Sequence, residues 1–293
     1  DEPTEESKAE NLRKWEISRR QLLRIIGVAG AAAATTPFIP GLLNRGSSEA
    51  SSDNHQHPVE HHGSQVTETT DQRIRQWGMI IDLRRCDGCQ GVDKPPQCTI
   101  ACNEGHFVPE PMEWIETYEY ELEGGGTFFQ PTICNQCQNP PCVNVCPVGA
   151  TWSTPEGVVL IDKDRCIGCR MCMAACPYER RFFTWTEPAV PPESLFVEYS
   201  PEHQVPMLKG MVYKCDFCPE MARSGRLPFC AQACPNAAIY YGDLEEDIAT
   251  NGEEIVQFSK YISDNGAYRH KEELGTRPRV HYIPGYGQDV GRD

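Results

Sequence analysis

The sequence predicts an α+β fold in which short strands and short helical turns are joined by long loops. Short apolar or alternating runs, bounded by Gly, Pro and Asp, have the length and period of strands. Cysteines recur four residues apart in runs such as CMAACP, a spacing that suits a short helical turn. Only 39 % of the 293 residues are hydrophobic, so bound cofactors are expected to fill part of the interior and to stabilise the fold.

The sixteen cysteines form four sets of four, and each set begins Cys-x2-Cys and ends Cys-x3-Cys. The gap in the middle of a set is eight, four, two or eleven residues, and a proline directly follows the last cysteine of sets two, three and four. Such an internal repeat of a ligand motif organises the whole chain. In chain order the four sets are Cys86, Cys89, Cys98 and Cys102; Cys134, Cys137, Cys142 and Cys146; Cys166, Cys169, Cys172 and Cys176; and Cys215, Cys218, Cys230 and Cys234.

Three chemistries could use these cysteines. Disulfides need pairs rather than quartets, and nothing in pairing demands a Cys-Pro ending. Structural zinc usually takes two Cys-x2-Cys motifs separated by a longer stretch, which set four and, marginally, set two could provide. Set three has instead the spacing of the bacterial ferredoxin motif for a [4Fe–4S] cluster, in which the fourth cysteine of a run binds the other cluster of a pair. The sequence therefore predicts clusters in pairs, with zinc as the alternative.

Residues 1–45 differ from the rest of the chain. Arg19 and Arg20 stand in a Ser-Arg-Arg-x-x-Leu context, and the nineteen residues from Ile25 to Leu43 carry no charge. This pattern resembles a twin-arginine export signal, which predicts delivery to the outer, periplasmic face of the cytoplasmic membrane. A helix of nineteen residues would be about 28 Å long, close to the thickness of a bilayer, so retention as a single-span anchor is also expected. Residues 46–76 are polar and read as a flexible linker.

The folded head is expected over residues 77–293. Trp77–Leu83 reads as a strand that leads into set one, and alternating residues around Gly124–Gly126 predict a hairpin before set two. A second hairpin is expected with its turn near Pro155–Gly157, between sets two and three. The runs RRFFTW, GMVYKC and AAIYYGDL read as further strands around sets three and four. The Gly- and Pro-containing tail from Ala267 is expected to wrap over the head or a partner.

Residues 77–287 resemble the four-cluster iron–sulfur subunits of the molybdopterin oxidoreductase superfamily. The resemblance is carried by CNQCQNPPCVNVCPVGA, CIGCRMCMAACPYERRFF, KCDFC with LPFCAQACPNAAI, and the tail ELGTRPRVHYIPGYG. It implies two ferredoxin-like units of two clusters each, with motifs one and four sharing one pair and motifs two and three the other. Set one departs from the family, because its eight-residue middle gap replaces the usual two.

Carried over residue by residue, the resemblance implies four [4Fe–4S] clusters and no [3Fe–4S] cluster. One cysteine of each set then serves the partner cluster of its pair. The implied ligand groups are Cys86, Cys89, Cys98 and Cys234; Cys215, Cys218, Cys230 and Cys102; Cys134, Cys137, Cys142 and Cys176; and Cys166, Cys169, Cys172 and Cys146.

The predicted function is electron transfer within a membrane-associated hetero-oligomeric complex. The chain would carry electrons between a membrane quinone-interacting subunit and a catalytic molybdopterin or multihaem cytochrome subunit. Two alternatives remain open: a zinc-stapled interaction protein, and a subunit of a quinone-linked respiratory complex without molybdenum. The formal charge of −15 makes the chain a poor nucleic-acid binder. No nucleophile–base pair or nucleotide-binding loop stands out, which disfavours an independent enzyme.

Overall fold

The computed structural model describes residues 73–90, 95–122, 125–189, 192, 196 and 198–285. All of them belong to one unit, Val66–Asp293. The predicted signal and anchor segment, and the linker up to residue 72, lie outside the described residues. Within the described ranges, no helix combines the length and the apolar character needed to cross a membrane.

A five-stranded sheet forms the centre of this unit. Strand β1 is Trp77–Asp82, and it pairs antiparallel with β8 (Ile239–Asp243) and parallel with β11 (Val280–Ile283). Strands β9 (Ile248–Thr250) and β10 (Ile255–Gln257) extend the sheet beyond β8, so that the order is β10-β9-β8-β1-β11. Every residue of β1 is buried, as its nearly continuous apolar run WGMIID suggests for a strand covered on both faces.

The described residues also form three two-stranded ribbons. They are β2 and β3 (Glu116–Glu121 and Thr127–Thr132), β4 and β5 (Thr151–Ser153 and Val159–Ile161), and β6 and β7 (Phe182–Phe183 and Val212–Tyr213). The two predicted hairpins are confirmed. The strands expected in RRFFTW and GMVYKC are also present; each has only two residues, and they pair with each other across a long insertion.

The helices of the described residues are short, and four of the six contain cysteines. They are α1 (Gln97–His106), α2 (Pro141–Asn144), α3 (Met171–Ala175), α4 (Pro219–Arg223), α5 (Phe229–Gln232) and α6 (Phe258–Asp264), with a 3-10 turn at Glu272–Leu274. Helices α1, α2, α3 and α5 lie at the Cys-x3-Cys endings, as the spacing predicts. The structure thus confirms an α+β fold of short elements.

The C-terminal tail has a larger role in the fold than its composition indicates. Rather than only wrapping over the surface, it supplies β11, which lies beside β1 with Ile81 opposite Tyr282. Tyr282 is fully buried, and its hydroxyl donates to the Pro131 carbonyl at 3.2 Å. The tail therefore connects the central sheet to the hairpin before set two.

Candidate metal centre

The four Cys-x2-Cys loops share one backbone geometry. In each loop, the residue before the second cysteine has a positive φ, in the left-handed region that glycine adopts most easily. Two of these residues are glycines and two are not. The four φ angles are 63° for Gly88, 45° for Gln136, 68° for Gly168 and 69° for Phe217. The sequence repeat is therefore also a repeat of conformation.

The Cys-Pro endings repeat a second conformation. The third residue after the last cysteine of sets two, three and four also has a positive φ: Gly149, Glu179 and Ala237. In two of these turns the next backbone N–H donates to the cysteine sulfur, from Ala150 to Cys146 at 3.2 Å and from Ala238 to Cys234 at 3.3 Å. Backbone N–H groups aimed at a sulfur stabilise its thiolate form.

The first group of thiols lines one small cavity. Cys86, Cys89 and Cys98 from set one meet Cys234 from set four there. Burial, followed by the nearby thiolates, raises the pKa of Cys86 to about 12 and that of Cys98 to about 11. Such thiolates require compensating positive charge, which a metal centre supplies.

The second group combines Cys102 with three cysteines of set four. Burial, and then the charges of Cys215 and Cys230, raise the pKa of Cys102 well above its usual value. The pKa of Cys218 is raised in the same way by burial and by the charges of Asp216, Cys230 and Cys215.

Polar side chains border this second group. His106 Nε2 lies 3.2 Å from Cys218 Sγ, and His106 Nδ1 lies 3.5 Å from Asp216 Oδ2. The rings of Trp114 and Phe229 flank the imidazole, with centroids 5.1 and 5.2 Å away. These rings hold His106 against the sulfur.

The third group gathers three cysteines of set two and one of set three. Burial, and then the charges of Cys134, Cys142 and Cys176, raise the pKa of Cys137, to about 12. The buried Gln136 side chain donates to the Cys215 carbonyl at 2.9 Å and accepts from the Val159 N–H at 2.8 Å. Gln136 therefore holds the loop of the third group against the second.

The fourth group lines a second small cavity, formed by Cys166, Cys169 and Cys172 of set three with Cys146 of set two. Burial opposes ionisation of Cys146, but the backbone N–H groups from Val148 to Thr151 lower its pKa overall. Cys169 is the one exposed cysteine of the sixteen.

These contacts place the groups in a row. Cys98 of the first group and Cys102 of the second lie one turn apart on α1. The charge of Cys134 of the third group contributes to the raised pKa of Cys215 of the second, after burial and Asp216. Arg181 contacts Cys142 of the third group and lies beside Cys172 of the fourth. We call groups one and two the first pair, and groups three and four the second pair.

Two buried cations near the thiols were not singled out by the sequence analysis. Arg181 is 3 % exposed and donates from Nη2 to Cys142 Sγ at 2.9 Å. Lys214 is fully buried, and its Nζ donates to the Cys215 carbonyl at 2.7 Å. Their positions in the sequence could have indicated both residues, because Arg181 follows a Cys-Pro ending by a few residues and Lys214 directly precedes a cysteine. His106 has no comparable signal in the sequence.

The donor set fits iron–sulfur clusters. All sixteen cysteines lie in the described part of the chain, and all are free thiols. They gather four by four in the grouping that the resemblance implies, and in two of the groups all four thiols line one small cavity. Four thiolates around one cavity, with N–H groups directed at sulfur, match the ligand set of a [4Fe–4S] cluster.

Comparison with known proteins agrees with this chemistry. Residues 126–191 match the 4Fe-4S dicluster domain family. A protein assigned as a dimethyl sulfoxide reductase iron–sulfur subunit in Halobacterium salinarum is 38 % identical over 72 % of this chain and 80 % of its own length. A selenate reductase subunit from Mesobacillus selenatarsenatis is 36 % identical over 71 % of this chain and 72 % of its own length.

A third relative extends over more of the chain. The Hdr-like menaquinol oxidoreductase iron–sulfur subunit 1 of Archaeoglobus fulgidus is 33 % identical over 91 % of this chain and 97 % of its own length. Identity at this level over most of both chains shows common descent as well as a common motif. The chain therefore belongs to the 4Fe-4S dicluster iron–sulfur subunits of dimethyl sulfoxide and selenate reductase type complexes, the electron-transfer subunits of respiratory reductases.

Proposed function

We propose that the sixteen cysteines bind four [4Fe–4S] clusters, arranged as two ferredoxin-like units in a head that spans residues 77–293. The observation that carries this proposal is the gathering of the thiols into four groups, each with one cysteine exchanged within its pair. Each cluster supplies one-electron redox chemistry when bound. The protein chain positions the four sites in a row and shields the thiolates from water.

We further propose that the row of sites relays electrons between two partner subunits. One partner is a membrane subunit that reacts with quinone, and the other is a catalytic molybdopterin or haem subunit. The names of the relatives support both proposed partners, since they include a menaquinol oxidoreductase and two reductases. A quinone-linked respiratory complex without molybdenum is the second candidate, and a relative named as a menaquinol oxidoreductase subunit supports the link to quinone.

The expected location is the periplasmic face of the cytoplasmic membrane. Arg19 and Arg20 with the following uncharged segment support export by the twin-arginine route, and the length of Ile25–Leu43 supports its retention as an anchor. Replacing both arginines with lysine should leave a folded, iron-loaded protein in the cytoplasm. Unchanged delivery of that double variant would contradict the export signal.

The cluster content tests the central proposal. Anaerobically purified full-length chain should contain about sixteen iron and about sixteen acid-labile sulfide per chain. About four zinc with little iron would instead support the zinc-stapled alternative. Mass spectrometry of co-purifying subunits would then decide between the molybdopterin complex and the complex without molybdenum.

A further inference from the structure

Arg181 lies between the two thiol groups of the second pair. Its Nη2 donates to Cys142 Sγ at 2.9 Å, and its Nη1 donates to Thr151 Oγ1 at 3.2 Å. Cys142 belongs to the third group, whereas Thr151 lines the cavity of the fourth group together with Cys172. One side chain therefore donates to a candidate ligand of one site and to a residue that lines the other.

The surroundings of Arg181 leave thiolates as its counter-ions. Within the described ranges, no carboxylate lies within 4.0 Å of its guanidinium. The adjacent Arg180 is also buried, yet it pairs with Glu116 at 2.8 Å. A buried cation without a counter-ion is strongly destabilising, so the charge of Arg181 is compensated by the sulfurs that it faces.

The effect of Arg181 on both thiols agrees with this arrangement. Burial raises the pKa of Cys142 and of Cys172, and the charge of Arg181 acts against that rise at both residues. The pKa of Arg181 itself is raised although burial opposes this, because Cys142, Cys172 and Cys134 surround it. The guanidinium and the thiolates thus stabilise each other.

We propose that Arg181 bridges the two clusters of the second pair and raises the reduction potential of both. This inference rests on the proposed function, because it needs clusters in the third and fourth groups. Each one-electron reduction changes the charge of a cluster with four thiolates from about −2 to about −3. A buried cation that donates to a ligand sulfur stabilises the more negative form more strongly, and low dielectric enlarges this difference. A single bridging cation also makes the second reduction in the pair depend on the first.

Redox titrations of the full-length chain, followed by electron paramagnetic resonance, test this role. In Arg181→Met, two of the four clusters should become harder to reduce by at least tenfold in equilibrium constant, which is about 59 mV for a one-electron couple. The other two clusters should keep their potentials. Arg180→Met is the matched control, since it removes a neighbouring buried arginine that pairs with a carboxylate, and it should leave all four potentials unchanged.

Two milder variants keep the test decisive if Arg181→Met does not load its clusters. Arg181→Lys keeps the charge but loses the planar fork that reaches Cys142 and Thr151 together, so at least one of the two potentials should fall. Thr151→Val removes the hydroxyl that holds Nη1 and should lower the same two potentials by a smaller amount. Unchanged potentials in the loaded variants, or an equal shift in all four clusters, would overturn the bridging role. A parent chain with fewer than four clusters would instead overturn the proposed function.

Discussion

The two pairs of thiol groups share one motif but differ in how they are embedded. Cys98, Cys102 and Cys230 of the first pair belong to the main hydrophobic core, together with residues of the central sheet. Cys142 and Cys172 of the second pair belong to a small separate cluster with Val159, Ile161 and Val212. Thiols of the first pair therefore pack within the main hydrophobic core, whereas thiols of the second pair pack in a smaller, separate cluster.

The two pairs also differ in charge. Asp216 adds negative charge beside Cys102, Cys215 and Cys218 of the first pair, where the charge of Lys214 opposes it at Cys215 but ranks below it. Arg181 adds positive charge beside Cys142 and Cys172 of the second. Negative neighbours disfavour a reduced cluster and positive neighbours favour it. A repeated ligand motif can thus provide sites of unequal potential, with the first pair lower than the second.

The largest expected effect comes from removing one ligand in each pair. Cys230→Ser and Cys172→Ser should each reduce the iron content by about four to eight. Only Cys230→Ser should also abolish cooperative unfolding of the head, because Cys230 is buried in the main core. Iron assays and anaerobic denaturation followed by circular dichroism would measure both effects. Equal loss of cooperativity in the two variants would contradict the difference between the main core and the smaller cluster.

A smaller effect is expected from the glycines in the Cys-x2-Cys loops. A Cβ at Gly168 would lie 2.0 Å from the Gly210 carbonyl oxygen, whereas a Cβ at Gly88 would meet the ring of Phe129 at 2.3 Å. A backbone oxygen cannot move aside as a side chain can, so Gly168→Ala should cost roughly 3 kcal/mol and Gly88→Ala less. Denaturant midpoints would measure the difference.

Gly149→Ala is the reference for these two variants. Gly149 also has a positive φ, but nothing lies within 4 Å of the position that its Cβ would take. It should therefore show the backbone strain alone, about 1 kcal/mol. If Gly168→Ala were no more destabilising than Gly149→Ala, the close approach of the Cys166–Cys169 loop to the Gly210 carbonyl would not constrain the fold.

The smallest effect concerns the charge of the first pair. Asp216→Asn removes a negative charge but keeps the oxygen that accepts from the Cys218 N–H at 2.9 Å. One cluster of the first pair should become about tenfold easier to reduce, which is about 59 mV. The exposed Asp264→Asn is the control and should change no potential. A fall in potential after Asp216→Asn would contradict the electrostatic contrast between the pairs.

Much of the fold could be predicted because its elements are local. The hairpins β2–β3 and β4–β5 each join strands close in sequence, and their turn residues mark them. The central sheet was harder to predict, since β1 and β11 pair across about two hundred residues and β11 arises in a tail rich in Gly and Pro. Strands β9 and β10 and helix α6 were missed, because short exposed strands such as Ile255–Gln257 carry no clear alternation.

The sequence by itself determined which residues are the candidate cluster ligands. Spacing within eleven to twenty residues specifies four sets of four cysteines, since each loop forms from neighbouring residues whatever the rest of the chain does. Only the tertiary structure decided which thiols meet, because Cys98 and Cys234 are brought together by packing over more than a hundred residues. It also decided the charge around each group, since Arg181 reaches Cys142 across 39 residues and His106 reaches Cys218 across 112. Ligand identity is a local property of a motif, whereas the potential of the site depends on burial and on charges supplied from distant parts of the chain.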